Sequence, residues 1–272
     1  MDIYKSNELE KKVEKFKSEG LDNLHVVSDF DKTLTKCFLN GEKMISSFGL
    51  IRHENYLPQE YSNKAFELFN KFYPIEKDET LDYGYRYKKM EDWWKKHEKL
   101  LVESGFSKKI IDEIVEKHPR IFREGALQFF DLLSEHNIPL LIFSSGIGNL
   151  ISGFLEREGK FKNNVFIISN NFAFDKEGFA TGYNGEIIHI MNKSESRIKG
   201  YDEIVEKNNV ILLGDSLQDL KMVNNDKATI KIGFLNEDKE KLQVYRENFD
   251  VVITGDGSFE SVNDLLREII YT

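Results

Sequence analysis

The 272-residue sequence predicts an α/β fold, a doubly wound and mostly parallel sheet with a helical cap inserted into it. Three observations carry that expectation. Short apolar, β-branched-rich runs recur at Leu24 to Ser28, Ile138 to Phe143, Val165 to Ser169, Val210 to Leu213 and Val251 to Thr254. Several are apolar at consecutive positions, as expected of strands covered on both faces. Segments of helical period separate most of them: Ala126 to His136, Asn149 to Glu158, Glu195 to Lys207 and Leu217 to Asn224. Such alternation builds parallel strand-helix-strand units, whose ligands gather at the carboxyl ends of the strands. Finally, Asn40 to Phe122 shows no strand pattern but several helical ones, including Ser62 to Lys71, Arg86 to Glu103 and Lys108 to His118.

The elements follow in order. Ser6 to Gly20 offers a Ser or Asn cap, acids in the first turn, Leu9, Val13 and Phe16 at helical spacing, and a closing glycine. The first strand run and the interval 40–122 come next, so residues 1–39 and 123–272 are expected to form one discontinuous core around a cap. Between Asn170 and Ile190, the turn-rich stretches around Gly178 and Gly182-Tyr183-Asn184-Gly185 separate short alternating runs, the pattern of a β-hairpin.

Composition narrows the function. With 40% hydrophobic and 31% charged residues and only 4 Pro, the chain is an ordered globular one. A net charge of −9 argues against a nucleic acid polymer as partner, because such binding rests on Lys and Arg displacing counterions. The one cysteine, Cys37, has no intramolecular partner, and the aliphatic runs are too short to span a bilayer. The expectation is a soluble, cytoplasmic monomer acting on a small molecule, with no membrane partner.

Four places have residues suited to chemistry. The first strand ends in Ser28-Asp29-Phe30-Asp31-Lys32-Thr33, with two carboxylates two residues apart. Aspartates there commonly shape a turn, but alternate residues also face one point, where a hard cation and a phosphate can be held. After the second strand come Ser144 and Ser145, residues suited either to capping the next helix or to binding an anion at its amino terminus. Lys193 stands before a helical segment, either as a solvated surface group or as a fixed cation for phosphate oxygens. Gly214-Asp215-Ser216-Leu217-Gln218-Asp219 follows another strand, and its two acids, four residues apart, share a face if the segment is helical.

Taken together and in this chain order, Asp-x-Asp-x-Thr, Ser, Lys and Gly-Asp-x-x-x-Asp resemble the four motifs of the haloacid dehalogenase superfamily of aspartate-nucleophile phosphohydrolases, with their Rossmann-like core. Phe143 to Gly148, Gly185 to Lys193, Ile211 to Ser216 and Lys231 to Asn236 resemble more narrowly the cytosolic 5′-nucleotidase III, or pyrimidine 5′-nucleotidase, family. The cap segments Phe72 to Glu76 and Met90 to Trp94 are similar to that family's cap.

The resemblance implies a Mg²⁺-dependent 5′-nucleotidase that hydrolyses a nucleoside monophosphate, a pyrimidine or N7-methylguanosine nucleotide. It assigns Asp29 as nucleophile and Asp31 as acid and base. Mg²⁺ falls to Asp29, the main-chain carbonyl of Asp31, and Asp215. Phosphate falls to Ser144, Ser145 and Lys193, and Thr33 and Asp219 take supporting places. Glu76 corresponds to a cap carboxylate that contacts the base, while His97 falls at or beside a small hydroxyl residue of the family. Trp93, Trp94, Tyr73 and Tyr83 are suited to stacking on a base or to packing the cap. Other readings are a superfamily phosphatase acting on phosphoserine or a sugar phosphate, or a non-catalytic nucleotide-binding protein.

Overall fold

The structure, a computed structural model, describes residues 2–39, 41–44, 46–118, 121–194 and 200–271. In chain order the strands are β1 (Ile3–Lys5), β2 (Leu24–Asp29), β3 (Phe38–Leu39), β4 (Glu42–Lys43), β5 (Leu140–Ile147), β6 (Val165–Asn170), β7 (Phe172–Phe174), β8 (Ala180–Tyr183), β9 (Asn209–Gly214), β10 (Ala228–Leu235) and β11 (Val251–Thr254). The helices are α1 (Leu9–Glu19), α2 (Ser47–His53), α3 (Gln59–Lys77), α4 (Tyr83–Glu103), α5 (Lys108–Lys117), α6 (Ala126–Glu135), α7 (Gly148–Arg157), α8 (Asp202–Val205), α9 (Leu242–Asn248) and α10 (Glu260–Ile270).

A seven-stranded sheet runs β1-β11-β10-β9-β2-β5-β6, and its pairings are parallel except β1 with β11. The consecutive apolar residues divide between its faces. Val26, Leu140, Ile142, Ile211 and Leu213 pack with Leu9, Val13 and Phe16 of α1 and with α6 and α10. Their neighbours Val27, Leu141, Phe143, Val210 and Leu212 pack on the opposite side with Met222 and Val223. Each such side chain, fully buried, stabilises the fold by roughly 1.5–3 kcal/mol relative to exposure.

Two strands of the seven-stranded sheet lie outside the five apolar runs. β1 is a short antiparallel edge strand. β10 is broken in sequence by Lys231 and Gly233. Lys231 is half-buried with its amide bonded to Asp250 Oδ2, and a Cβ on Gly233 would meet the Phe249 ring at 2.7 Å. The expected Ser or Asn cap of α1 is also corrected. Glu8 occupies that position without a side-chain capping bond, and the Ser6 hydroxyl and amide are bonded to Asp250 instead. The hairpin forms as β7 and β8. Of the helix expected from Glu195 to Lys207, residues 195–199 lie outside the described residues, and Asp202–Val205 is helical.

Residues 41–118 contain α2 to α5, and the short β3-β4 ladder at their start, which the sequence pattern did not show, begins at Phe38, inside the stretch expected to belong to the core. The chain leaves the sheet and returns beside itself: Lys36 N donates to Ile121 O (2.8 Å) and Arg123 N to Leu34 O (3.1 Å). Along α4, Met90, Trp93, Trp94, His97, Leu100 and Leu101 are buried, a stripe at three- and four-residue spacing that faces α3. The Trp94 indole N–H donates to Ser145 O (3.0 Å) and thereby docks this helical layer on β5.

Candidate active site

β2 delivers Asp29 to the carboxyl edge of the sheet, and the chain then winds tightly through Phe30–Leu34. Lys32 there has φ +61°, an uncommon conformation for a residue with a side chain. The turn is held from outside. Arg123, buried, donates from Nε to Thr33 O (2.7 Å), from Nη2 to Lys32 O and Asn236 Oδ1 (2.6 Å), and from Nη1 to Asp256 Oδ1 and Gly257 O (both 2.9 Å).

Lys193 Nζ donates to Asp29 Oδ1 (2.5 Å) and to Asp219 Oδ1 (3.0 Å). The other Asp219 oxygen accepts the Ser216 amide (3.0 Å), and the Thr33 hydroxyl donates to Asp29 Oδ2 (3.3 Å). Asp219 lies in a 3₁₀ turn, Leu217–Met222, rather than in the α-helix expected there. It reaches the site because Gly214, which faces it, has no side chain: a Cβ there would come within 2.6 Å of the Asp219 Cβ.

One carboxylate oxygen each from Asp29, Asp215 and Asp219 lie within 4.8 Å of one another. Burial is the main cause that pushes Asp29 well above the usual carboxylate range, against the pull of Lys193. Burial, with Asp219 beside it, raises Asp215 to about 7. Burial alone would lower Lys193, but Asp219 and Asp29 outweigh it and hold the ammonium above its ordinary value. Three carboxylates around one ammonium leave negative charge uncompensated. Among the described residues the Asp215 carboxylate accepts no hydrogen bond. Hard oxygen donors with excess charge fit a divalent cation such as Mg²⁺.

Asp31 lies in the same cavity, where burial lifts it to about 6 against Lys32 and Lys193, while the Ser47 amide favours its charged form. Its proton thus comes and goes within about a pH unit of neutrality, the range a general acid and base needs. Ser144 and Ser145 lie on β5 itself, not in the turn before α7. The Ser144 hydroxyl accepts the Gly146 amide (3.0 Å), and Ser145 is half-buried on the cavity wall. A residue the sequence did not single out, Ser47 at the start of α2, accepts the Ile147 amide (3.0 Å) and sits where a Cβ on Gly146 would be. Its only sequence signal was the pair Ser46-Ser47 before an apolar run, and that reads as a helix cap.

The cavity, about 270 Å³, joins these groups to the helical layer. Phe48, Arg52, Phe69, Tyr73, Glu76, Trp93, Trp94 and His97 line its other end. The Glu76 side chain is 13% exposed and burial raises its carboxyl, whereas neighbouring Lys77 is 60% exposed. Trp93 also stacks on Phe72, so it packs the helical layer as well as lining the cavity. Tyr83 is away from the lining; it is exposed, with its hydroxyl on Met191 O. His97 is buried, its Nε2 is 2.9 Å from the Tyr61 hydroxyl, and burial lowers it to about 3, so it is neutral. Cys37 is buried and pushed up to about 11, chiefly by burial, which makes it an unreactive thiol.

The sequence matches the family model for pyrimidine 5′-nucleotidase (UMPH-1) over residues 32–270. It is 36% identical over 259 residues to the 7-methylguanosine phosphate-specific 5′-nucleotidase of Mus musculus, covering 93% of this chain and 86% of that one. The fold is similar to that of cytosolic 5′-nucleotidase IIIB bound to cytidine, with TM-score 0.89 and 29% identity over 98% of this chain and 93% of that one. A phosphoserine phosphohydrolase-like protein from Francisella tularensis shares the fold alone, at TM-score 0.51 and 15% identity over 84% of this chain and 94% of that one. The chain has an α/β fold with an inserted helical cap, and it belongs to the pyrimidine 5′-nucleotidase family.

Proposed function

We propose that the chain hydrolyses nucleoside 5′-monophosphates to nucleoside and phosphate through an aspartyl-phosphate on Asp29. The observation that carries this reading is one cavity with the Asp29–Lys193–Asp219 cluster at one end and Glu76 among aromatic rings at the other. We take residues 1–39 and 123–272 as the core that holds the first end and residues 40–122 as the cap that holds the second.

In the first step an Asp29 oxygen attacks phosphorus, the bond from phosphorus to the ribose 5′ oxygen breaks, and Asp31 gives its proton to that oxygen. In the second, Asp31 takes a proton from water as the water attacks the phosphoryl group, releasing Asp29 and inorganic phosphate. Ser144, Ser145 and Lys193 bind the phosphate oxygens, and Asp219 holds Lys193 in place. Asp29, Asp215 and the Asp31 carbonyl would hold Mg²⁺, which offsets repulsion between the carboxylate and the dianionic phosphate.

Among the described residues no helix is long and apolar enough to cross a membrane. We take the enzyme to act as a cytoplasmic monomer.

The test is phosphate release across nucleoside monophosphates, sugar phosphates and phosphoserine, with and without a chelator. Nucleoside monophosphates should lead the panel by at least about tenfold in kcat/KM, and chelation should stop turnover. Equal use of phosphoserine or a sugar phosphate would make the protein a different phosphatase of this fold.

A further inference from the structure

Arg52 stands in the last turn of α2, where a basic residue ordinarily faces water and complements the helix dipole. Here it does not face water. It is only 8% exposed, and it lines the cavity on the side of the cap aromatics. Its guanidinium lies over the Phe69 ring, with Cζ 4.2 Å from the centroid, and Cζ is 5.3 Å from the centroid of Phe66. Stacking serves the face of the cation but none of its N–H groups. Nε is buried without a hydrogen-bond partner, and among the described residues no hydrogen bond or ion pair engages the rest of the fork.

An unpaired buried guanidinium is costly unless something supplies acceptors. Glu76 lines the same cavity, but the charges acting on it are Lys77 and Arg86, so the two groups do not neutralise each other. The cations acting on Asp31 are Lys32 and Lys193, which sets Arg52 apart from the phosphate end. His97 beside it is neutral and Tyr61 is a neutral phenol, so neither offers compensating charge. The acceptor must therefore come with the ligand, at the end that the nucleotidase reading assigns to the base.

Resting on that reading, we propose that Arg52 is a specificity-determining residue of the base end. Its N–H groups take a carbonyl oxygen or ring nitrogen of a neutral base, and its charge disfavours a base that is itself cationic, as an N7-methylated guanine is. A guanidinium donates in pairs to such acceptors, as to the O6 and N7 atoms of guanine. Methylation of N7 removes one of those acceptors and adds a positive charge in a cavity where charges are poorly screened. Arg52 thus distinguishes this chain's preference from the name of its mouse relative.

The experiment measures kcat/KM of the unmodified enzyme for CMP, UMP, GMP and N7-methyl-GMP, then repeats it with Arg52→Gln and Arg52→Lys. The best neutral nucleotide should exceed N7-methyl-GMP by at least about tenfold. Arg52→Gln, which removes the charge, should cut that ratio about tenfold or more. Arg52→Lys, which keeps the charge but loses the fork, should still exclude the methylated nucleotide while using neutral ones less well. A thermal melt establishes that each variant is folded.

Should neither variant fold, inhibition of aryl phosphate hydrolysis by free nucleosides decides with the unmodified enzyme. Cytidine, uridine or guanosine should inhibit more strongly than 7-methylguanosine, and equal or weaker inhibition overturns the proposal. So does an unmodified enzyme that prefers N7-methyl-GMP, or a ratio unmoved in a folded Arg52→Gln. Failure of the nucleotidase reading has a different signature, in which no nucleoside monophosphate surpasses the sugar phosphates.

Discussion

The two ends of the cavity are built on opposite principles. At the core end the charged cluster is tied together by direct bonds: Lys193 to Asp29 and Asp219, Asp219 also to the Ser216 amide, and Asp29 to the Thr33 hydroxyl. At the cap end the charges are loosely held. Buried Arg52 has no hydrogen bond or ion pair among the described residues, half-buried Glu76 has the exposed Lys77 ammonium 3.9 Å away, and the two do not neutralise each other. Chemistry on a fixed phosphoryl group favours preorganised groups, since their alignment costs nothing at the moment of reaction. Recognition of a variable base favours groups whose partners arrive with the substrate.

The largest effect tests whether the core end alone performs the chemistry. Asp29→Asn should remove turnover on nucleotides and aryl phosphates alike, by roughly 10⁴-fold or more, while a melt shows the protein folded. It should also abolish trapping by beryllium fluoride. Full activity in that variant would break the division between the ends at once.

Asp31→Asn sharpens the same point. It keeps the main-chain carbonyl and the shape but shuttles no proton, so kcat should fall by about 10²–10⁴-fold. Metal affinity, read by titration, should change much less. Equal losses in both would make the Asp31 side chain a metal group.

Arg123 asks how rigidly the core end is braced. Its buried guanidinium satisfies the Lys32 and Thr33 carbonyls and pairs with the half-buried Asp256. Arg123→Met takes the donor from the Thr33 and Gly257 carbonyls and the cation from Asp256, whose carboxylate keeps the Cys37 and Phe38 amides, which should cost about 1–3 kcal/mol of stability. Denaturant unfolding measures it, and a loss under about 1 kcal/mol would mean that the brace relaxes onto water.

The smallest effect belongs to the cap. His97 titrates at about 3 when folded and near its ordinary value of 6.5 when unfolded, because burial disfavours its charged form. Between those values the unfolded chain binds the extra proton, so this group lowers stability as pH falls from about 6.5 toward 3. The slope is about 1.4 kcal/mol per pH unit at most for one proton. The difference in unfolding free energy between the unmodified protein and His97→Asn isolates it. A difference independent of pH would show that His97 is not held neutral.

The same contrast separates what the sequence showed from what it concealed. Asp29, Asp31, Asp215 and Asp219 stood out as acids at strand ends, where spacing left a turn or a site equally open, and the resemblance of the four motifs together gave them their roles. Lys193 gained meaning only from its company, since one lysine carries no local signal. β10 escaped because Lys231 and Gly233 interrupt its apolar run, and both are explained only by what packs on them, Asp250 and Phe249. Ser47 and Arg52 read as a helix cap and a helix-ending cation, and tertiary placement converts them into a loop prop and a cavity wall. Tyr83 shows the converse, an aromatic in a suitable segment that faces water. Cap specificity rests on packing between α3 and α4, which helical periodicity predicts in kind but not in detail.

The central claim is that the ends are separable, one performing phosphoryl chemistry and the other reading the base. Its most direct test is the ratio of kcat/KM for the preferred nucleoside monophosphate to that for a small aryl phosphate, in the unmodified enzyme and in Glu76→Ala. Losing a hydrogen bond to a charged group costs about 1.5–3 kcal/mol, so the ratio should fall roughly ten- to hundredfold. If both substrates lose activity in parallel and the ratio holds, Glu76 is a structural residue and the account of two separable ends is contradicted.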